Sequence, residues 1–314
     1  MLTDRYCNIT EMGKMQKDYD FVLKFIRNFL LSGQIPFAEG PRYIPHTKVF
    51  ADEFSSSGWE VEGPEDGQKH SKMRFTSPDR KTVVNLSGSA IGRYPKETPM
   101  IATRKELTKK FLNAKGVASP MGADFAQSEK RIAQLFFDAS EKQLVIKPTN
   151  SGQSKGVSVG VSGGREFEVA WSKACEAAGR HGRILIEEQV RGQEIRCYVI
   201  GREVVAAVAR VQPFVVGDGS SNLEELIKET TSERSKHYRA RQFAIKPDWR
   251  FVEKHEGGPS TVPAKDAIVL LSPHALLSQG SYYVEIAKFL NSEVRDTAVS
   301  AIEGVRKFVC EALI

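Results

Sequence analysis

A lysine at the end of an apolar run and a loop of small polar residues follow one another in LVIKPTNSGQSKGVSVGV, residues 144–161. Glycine and serine let a backbone approach phosphate oxygens closely, so that successive N–H groups can form an anion-binding nest. Lys147 and Lys155 would add positive charge to such a nest. The spacing is neither that of GxxxxGK[ST] nor that of GxGxxG. Taken alone, the segment predicts either a phosphate-binding loop or a hairpin with a long solvated loop.

Acidic side chains end another apolar run, in ILIEEQVRGQE. Glu187 and Glu188 lie at the end of this run, and Val190 and Glu194 follow. A carboxylate can accept hydrogen bonds from the amino group of adenine or from ribose hydroxyls, and a valine can pack on a base. Adjacent acids are also typical of a solvated strand edge. The pattern is therefore compatible with a nucleotide site and with an ordinary sheet edge.

Hydrophobic periodicity predicts the elements that position these side chains. Both chemical segments begin on strands, at residues 144–148 and 184–190. Two helix starts carry capping-box patterns, Thr103 with Glu106 and Ser221 with Glu224. The other predicted elements are helices at 18–32, 103–116, 128–139, 165–180, 220–230 and 292–312, strands at 122–126 and 158–161, and hairpins turning at Ser77–Pro78–Asp79 and Gly201–Arg202. Strands and helices in this mixed order predict an α+β protein.

Composition excludes several other classes of protein. The 314 residues carry a net charge of +6, but no basic stripe is interleaved with aromatics, so nucleic-acid binding is not expected. No apolar run approaches the roughly 20 residues that span a bilayer. The N-terminus lacks the pattern of a signal peptide. A cytoplasmic protein with no membrane partner is expected. The four cysteines form no CxxC pair and show no zinc-ligand spacing with histidine.

Four segments in succession resemble the ATP-grasp ligases: KELTKKFLNAKGVASP, LVIKPTNSGQSKGVSVGV, ILIEEQVRGQE and VVGDGSSNLEELI. The likeness is greatest to the ATP-grasp part of cyanophycin synthetase and of bifunctional glutathione synthetases, and more distant to D-alanine–D-alanine ligase. It covers about residues 85–314. It implies an ATP-grasp fold: an N-terminal α/β unit at 1–98, a small subdomain with the phosphate loop at 99–183, and a C-terminal subdomain at 184–314.

The resemblance also implies an activity, the ATP-dependent joining of a carboxylate to an amine. ATP converts the carboxylate of an amino acid or peptide to an acyl phosphate, which the amine attacks, and ADP and phosphate are released. Positive charge must then be held around the triphosphate, and a closing loop must keep water from the acyl phosphate.

Residue roles follow from the same resemblance. Lys105 corresponds to a lysine that contacts the nucleotide phosphates, and Lys147 to a second lysine that bridges adenine and the α-phosphate. The mobile loop that closes over the phosphates corresponds to Ser151, Gly152, Gln153, Ser154, Lys155 and Gly156.

The resemblance also implies roles for residues of ILIEEQVRGQE and of the strand VVAAVARV that follows it. Glu187 and Glu188 correspond to positions at the adenine edge, with Val190 beside the base. Glu194 corresponds to the ribose-binding acid. Arg210, at the end of VVAAVARV, corresponds to a residue near the transferred phosphate or the acyl substrate. Asp218 fits either the family's loop or a simple turn.

The chain departs from the family where magnesium is bound. Relatives hold two Mg²⁺ ions with a late acidic strand and a Glu-x-Asn strand, oxygen ligands of the kind that this cation prefers. The final helix here corresponds to the helix before those strands, so the C-terminal subdomain is expected to be incomplete and the ligands of Mg²⁺ to lie beyond residue 314. Glu285 is not expected to bind metal, because Ala287 stands where asparagine is needed. Pro273 and His274 replace an arginine and an asparagine of the relatives.

These departures leave three interpretations open. The leading one is an amide-forming ligase that uses ATP and Mg²⁺ on small amino acid or peptide substrates. The second is a degenerate ATP-grasp protein that binds nucleotide without turnover and acts as a regulator or partner subunit. The third is a split enzyme, completed by a second chain. A homo-oligomer is the alternative to an assembly with a second, different chain.

Overall fold

The computed structural model describes residues 19–33, 46–63, 72–87, 90–91, 103–152, 154–236 and 244–304. The chain divides into two compact units. The first unit comprises Met1–Ile44, Arg191–Arg196 and Ala206–Phe289, and the second comprises Pro45–Val190, Cys197–Val205 and Leu290–Ile314. The presence of helices and largely antiparallel sheets confirms the α+β class. The subdomain division drawn from the sequence stays a prediction.

The second unit begins with a helix beside a small antiparallel sheet. Phe54 of the helix stacks on Phe75 of the sheet with ring centroids 4.2 Å apart, and Met73 and Leu86 are buried with it. The sheet has the strand order β1-β2-β3-β4. The elements are α2 (His46–Ser56), β1 (Glu60–Glu62), β2 (Lys72–Thr76), β3 (Val83–Ser87) and β4 (Ala90–Ile91). The predicted turn between β2 and β3 is confirmed, and Asp79 accepts a hydrogen bond from Ser77 there at 2.6 Å.

A four-stranded antiparallel sheet of order β5-β8-β6-β7 forms the centre of the second unit. Its strands are β5 (Gly122–Phe125), β6 (Leu144–Pro148), β7 (Ser158–Val161) and β8 (Ile184–Glu188), and its helices are α3 (Lys105–Ala114), α4 (Lys130–Asp138) and α5 (Gly164–Ala178). The strands and helices predicted in this region are therefore confirmed, with small differences at their ends. Helix α8 (Ser292–Gly304) confirms the last predicted helix as far as residue 304, and the rest of that prediction lies outside the described residues.

One face of this central sheet carries the core of the unit. Ile146 and Ile186 are fully buried there and pack with the apolar sides of α4 and α5. Phe167 of α5 is also fully buried, and its ring centroid lies 5.0 Å from that of Phe137 and 5.7 Å from that of Trp171. The opposite sheet face carries Lys147 and Glu187 together with the apolar Leu185, which is 1% exposed.

In a three-stranded sheet, strand β10 lies between β9 and β13. The predicted hairpin that turns at Gly201–Arg202 is confirmed. A two-stranded ladder pairs β11 with β12. The elements of this part of the chain are β9 (Glu194–Ile200), β10 (Glu203–Val211), β11 (Phe214–Val216), α6 (Leu223–Ser235), α7 (Trp249–His255), β12 (Ile268–Leu270) and β13 (Tyr282–Glu285). The predicted N-terminal helix is α1 (Asp20–Phe25), which continues as a π-helical turn over Ile26–Leu30.

Both predicted capping boxes are wrong. Helix α3 begins after Arg104, with no side-chain cap, and the buried Glu106 pairs instead with the Nε of Arg104 at 2.5 Å. Helix α6 is capped one residue later than predicted: Asn222 accepts from the backbone N–H of Glu225 at 3.0 Å, and Glu225 accepts from that of Asn222 at 2.9 Å. Asparagine is as good an N-cap as serine, so the pattern S-S-N at this start allowed two registers.

Among the described residues, no helix combines the length and the apolar character needed to cross a membrane.

Candidate functional site

The register of two neighbouring strands brings Lys147 and Glu187 together. Strands β6 and β8 pair antiparallel, with Lys147 opposite Leu185 and Val145 opposite Glu187. Residues that face each other across a ladder share a sheet face, so Lys147 and Glu187 lie on the same face as diagonal neighbours, within reach of long side chains. That face is the one turned away from the helix-covered core.

Glu187 is the centre of a buried ion-pair cluster. Its side chain is 8% exposed, and its two carboxylate oxygens contact two different lysines. Oε1 accepts from Lys147 Nζ, and Oε2 accepts from Lys109 Nζ at 2.8 Å. Lys109 also donates to the carbonyl of Pro120. A buried carboxylate requires such partners, because leaving it unpaired costs several kcal/mol, by a rough estimate.

Lys105 begins helix α3 and reaches the loop after β6. Its ammonium donates to the carbonyls of Pro148 and Thr149, both at 3.3 Å, and to that of Ser151 at 2.7 Å. Burial, and after it the positive charge of Lys147, lowers the pKa of Lys105 below its ordinary value. An anion bound beside Lys105 would stabilise its charged ammonium. Lys105, Lys109 and Lys147 together outweigh the single charge of Glu187, so the cluster attracts anions.

The predicted phosphate loop leaves β6 beside this cluster. Ser154 has a positive φ of 56° and Gly156 one of 72°, and Lys155 N–H donates to the carbonyl of Gly152 at 3.1 Å. A Cβ on Gly156 would lie 2.5 Å from that of Ala177, so only glycine fits without movement. Gln153, which the sequence also places in this loop, lies outside the described residues.

Glu188, the second predicted acid of β8, pairs with a lysine outside this cluster. Glu188 accepts from Lys142 at 2.8 Å, and its backbone N–H donates to the carbonyl of Met121 at 2.8 Å. The side chain is partly exposed, at 26%. Val190 is exposed, at 69%.

Gly122 of β5 lies directly opposite Glu187 across the β5–β8 ladder. A Cβ at this position would lie 2.5 Å from the Cβ and 2.7 Å from the Cα of Glu187 and would also meet the carbonyl oxygen of Ile186. Backbone cannot swing aside as a side chain does, so an alanine must push the strands apart.

We therefore expect Gly122→Ala to destabilise the protein by about 1–3 kcal/mol, the usual cost of overpacking. It should also displace Glu187. The free energy of unfolding in urea measures the first effect, and Gly152→Ala is the control, since its Cβ would meet nothing within 4 Å. Equal stability of the two variants would contradict this account of the β5–β8 contact.

In the first unit, Arg210 and Glu194 form an ion pair of their own. Arg210 Nη1 lies 2.6 Å from Glu194 Oε1, Nη2 donates to the carbonyl of Ala275, and the guanidinium lies 5.2 Å from the ring centroid of Tyr283. Arg210 is 8% exposed, and its Nε is buried with no hydrogen-bond partner. Glu194, the predicted ribose-binding acid, is thus in contact with Arg210, which is predicted to lie near the transferred phosphate or the acyl substrate.

Asp218 lies in a local turn. Asp218 accepts from the backbone N–H groups of Ser220 and Ser221, each at 2.7 Å, and from the Ser221 hydroxyl at 2.7 Å. These hydrogen bonds lower the pKa of Asp218, and they are those of a turn residue. Glu285 is exposed on β13. The part of the chain that the structure describes holds no group of three or more His, Cys, Asp or Glu side chains placed to bind a metal, so no residue here is assigned to Mg²⁺.

Sequence reasoning missed Lys109 and Lys142. Lys109 follows Lys105 by four residues, one helical turn, and so lies on the same side of α3. That spacing was visible in the sequence. Lys142 lies in the turn before β6, and its pairing with Glu188 depends on the β6–β8 register, which the sequence does not reveal.

Comparisons with known proteins agree with the resemblance. Residues 119–219, which include Lys147, the loop, Glu187, Glu194 and Arg210, match the family described as D-ala D-ala ligase C-terminus. The chain is 28% identical over 329 aligned positions to the glutathione biosynthesis bifunctional protein of Clostridium perfringens, covering 95% of this chain and 41% of that protein. It is 31% identical over 130 positions to the cyanophycin synthetase of Geminocystis herdmanii, covering 41% of this chain and 15% of the relative.

Among solved structures, a bifunctional glutathione synthetase from Pasteurella multocida is similar, with 22% identity, a TM-score of 0.49, and coverage of 79% of this chain and 33% of that one. The chain spans less than half the length of these curated relatives. The resemblance to ATP-grasp ligases, and to the two groups named from the sequence, is confirmed.

Proposed function

We propose that this chain binds ATP at the cluster of Lys105, Lys147 and Glu187 and uses it to join a carboxylate to an amine. The observation that carries the proposal is the buried Glu187 held by two lysines beside the glycine-containing loop after β6. The positive charge of several lysines beside such a loop would attract the negatively charged triphosphate. The family match over residues 119–219 supports the same assignment.

In this proposal Lys105 and Lys147 exchange their present partners for phosphate oxygens. Lys105 now donates to loop carbonyls, and Lys147 to Glu187. Their charges would balance the growing negative charge as the γ-phosphoryl group moves to the substrate carboxylate. The loop from Ser151 to Gly156 would close over the phosphates and keep water out.

The remaining residues would place the base, the ribose and the acid. Glu187 and Glu188 would face the adenine edge, with Val190 against the base, and Glu194 would hold the ribose. Arg210 would contact the transferred phosphate or the acyl substrate. The carboxylate oxygen attacks the γ-phosphorus and ADP leaves; the amine then attacks the acyl carbon, phosphate leaves, and the amine loses its proton to solvent.

The substrates proposed are an amino acid or peptide carboxylate and a small amine, with ATP and Mg²⁺ as cofactors. The described residues supply no ligand set for the metal, so none of these steps is assigned to it. The cytoplasmic location stays a prediction.

Two measurements test the proposal. Calorimetry should show ATP binding in the presence of Mg²⁺, with a dissociation constant in the micromolar to millimolar range that is usual for a substrate, by a rough estimate. Phosphate release should then depend on adding amino acids, singly and in pairs. ATP binding without amino-acid-dependent phosphate release would support the non-catalytic nucleotide-binding protein instead. Absence of ATP binding would overturn both.

A further inference from the structure

Lys109 contacts the carboxylate oxygen of Glu187 that Lys147 does not contact. It lies one helical turn after Lys105 on α3, and its Nζ is 2.8 Å from Glu187 Oε2. The same ammonium donates to the carbonyl of Pro120, just before β5. Its side chain is 15% exposed. Neither the sequence motifs nor the family resemblance gives this lysine a role.

The two lysines on Glu187 differ in what the proposed function asks of them. Lys147 is proposed to leave Oε1 for the nucleotide phosphates. Glu187 is among the few buried charged residues of the described chain, at 7% exposure, and without a counter-charge it would be strongly destabilised. Lys109 would stay bound to Oε2 when Lys147 leaves, because its ammonium also donates to the carbonyl of Pro120.

The departure of Lys147 frees only one of the two carboxylate oxygens. Oε1 would then be free to accept a hydrogen bond from a ligand, while Oε2 would remain bound to Lys109. An acceptor in a fixed position favours a ligand that presents a donor. The 6-amino group of adenine is such a donor, whereas hypoxanthine and guanine present a carbonyl oxygen at that position and would leave Glu187 facing another acceptor.

We propose that Lys109 is a positioning residue for nucleotide selection: it holds the carboxylate of Glu187 in a fixed orientation, and so sets the preference for a 6-amino purine. This inference rests on the proposed function, since it requires that ATP binds here and that Lys147 moves to the phosphates. The lysine touches neither the base nor the phosphates in this account, and its effect is passed through Glu187.

The test compares ATP and ITP, which differ at position 6 of the purine. In calorimetry, Lys109→Met should weaken ATP binding by about 10- to 100-fold, because a buried charge loses its partner. ITP binding should change by less than about threefold, so the ATP-to-ITP affinity ratio should fall by more than about threefold. Methionine retains the apolar stem, which limits the effect on packing.

Two further variants separate positioning from a structural role. Lys109→Arg keeps the charge and should retain the wild-type ratio within about threefold. Lys110→Met, at the exposed neighbouring position of the same helix, should leave both affinities unchanged. Where Lys109→Met does not fold, Lys109→Gln carries the comparison, since it keeps a donor without the charge and should also lower the ratio.

An unchanged ATP-to-ITP ratio in a folded Lys109→Met or Lys109→Gln protein overturns the inference and leaves Lys109 as a structural link between α3 and β8. This outcome differs from failure of the proposed function, in which the wild-type protein itself would bind neither nucleotide.

Discussion

Lys147→Ala is expected to weaken ATP binding by about 100-fold or more. In the proposed complex the variant leaves the phosphate oxygens of ATP without the charge of Lys147. Removing one partner of a buried charge pair costs about 2–5 kcal/mol, and each 1.4 kcal/mol is roughly a factor of ten in affinity. The lysine is only 21% exposed and shares Glu187 with Lys109, so its charge is little screened by solvent. Calorimetric titration with ATP and Mg²⁺ measures the loss directly.

Lys142→Ala is the matched control for this experiment. Lys142 pairs with Glu188 at the same 2.8 Å distance that joins Lys109 to Glu187, but its side chain is 68% exposed. Exposed ion pairs contribute little, about 0–1 kcal/mol, so ATP affinity should change by less than about fivefold. Wild-type affinity in Lys147→Ala would place the nucleotide elsewhere on the chain.

Phe167→Ala is expected to lower the free energy of unfolding by about 3–5 kcal/mol, the usual cost of deleting a buried aromatic ring. The ring is fully buried between Phe137 and Trp171 on the helix-covered side of the central sheet. Its loss leaves a cavity that neighbouring rings cannot fill. Urea unfolding measures the effect through the shift of the midpoint.

Val169→Ala lies two residues further along the same helix and provides the comparison. Its side chain is 66% exposed, so the change in stability should stay within about 0.5 kcal/mol. Equal midpoints for Phe167→Ala and Val169→Ala would mean that α5 does not pack on the sheet through the face described above.

Much of this organisation could be predicted from the sequence because the signals were local. The run LVIKP alternates buried and half-buried residues as a strand with one covered face does, and ILIEE is apolar until its end. Gly and Pro marked the hairpin turns. The helix predicted at 165–180 agrees with α5 (Gly164–Ala178) within two residues at each end.

What could not be predicted depends on pairing between distant segments. The contact of Glu187 with Lys109 joins residues 78 positions apart, and it needs both the β6–β8 register and the position of α3. The caps failed for a different reason. Thr103 and Glu106 matched a capping box, but Glu106 is buried and pairs with Arg104, so a tertiary environment replaced a local preference.

The two faces of the β6–β8 pair have a consequence for how this protein can change over evolutionary time. Because side chains alternate, Ile146 and Ile186 pack in the helix-covered core, while Lys147 and Glu187 lie on the opposite face. A point substitution therefore changes one face of the strand at a time. A single inserted or deleted residue within β8 has no such freedom, since it would turn Glu187 into the apolar layer and an isoleucine toward the lysines. Lineages that keep this site should therefore vary in side chains along β8 but hold its length fixed.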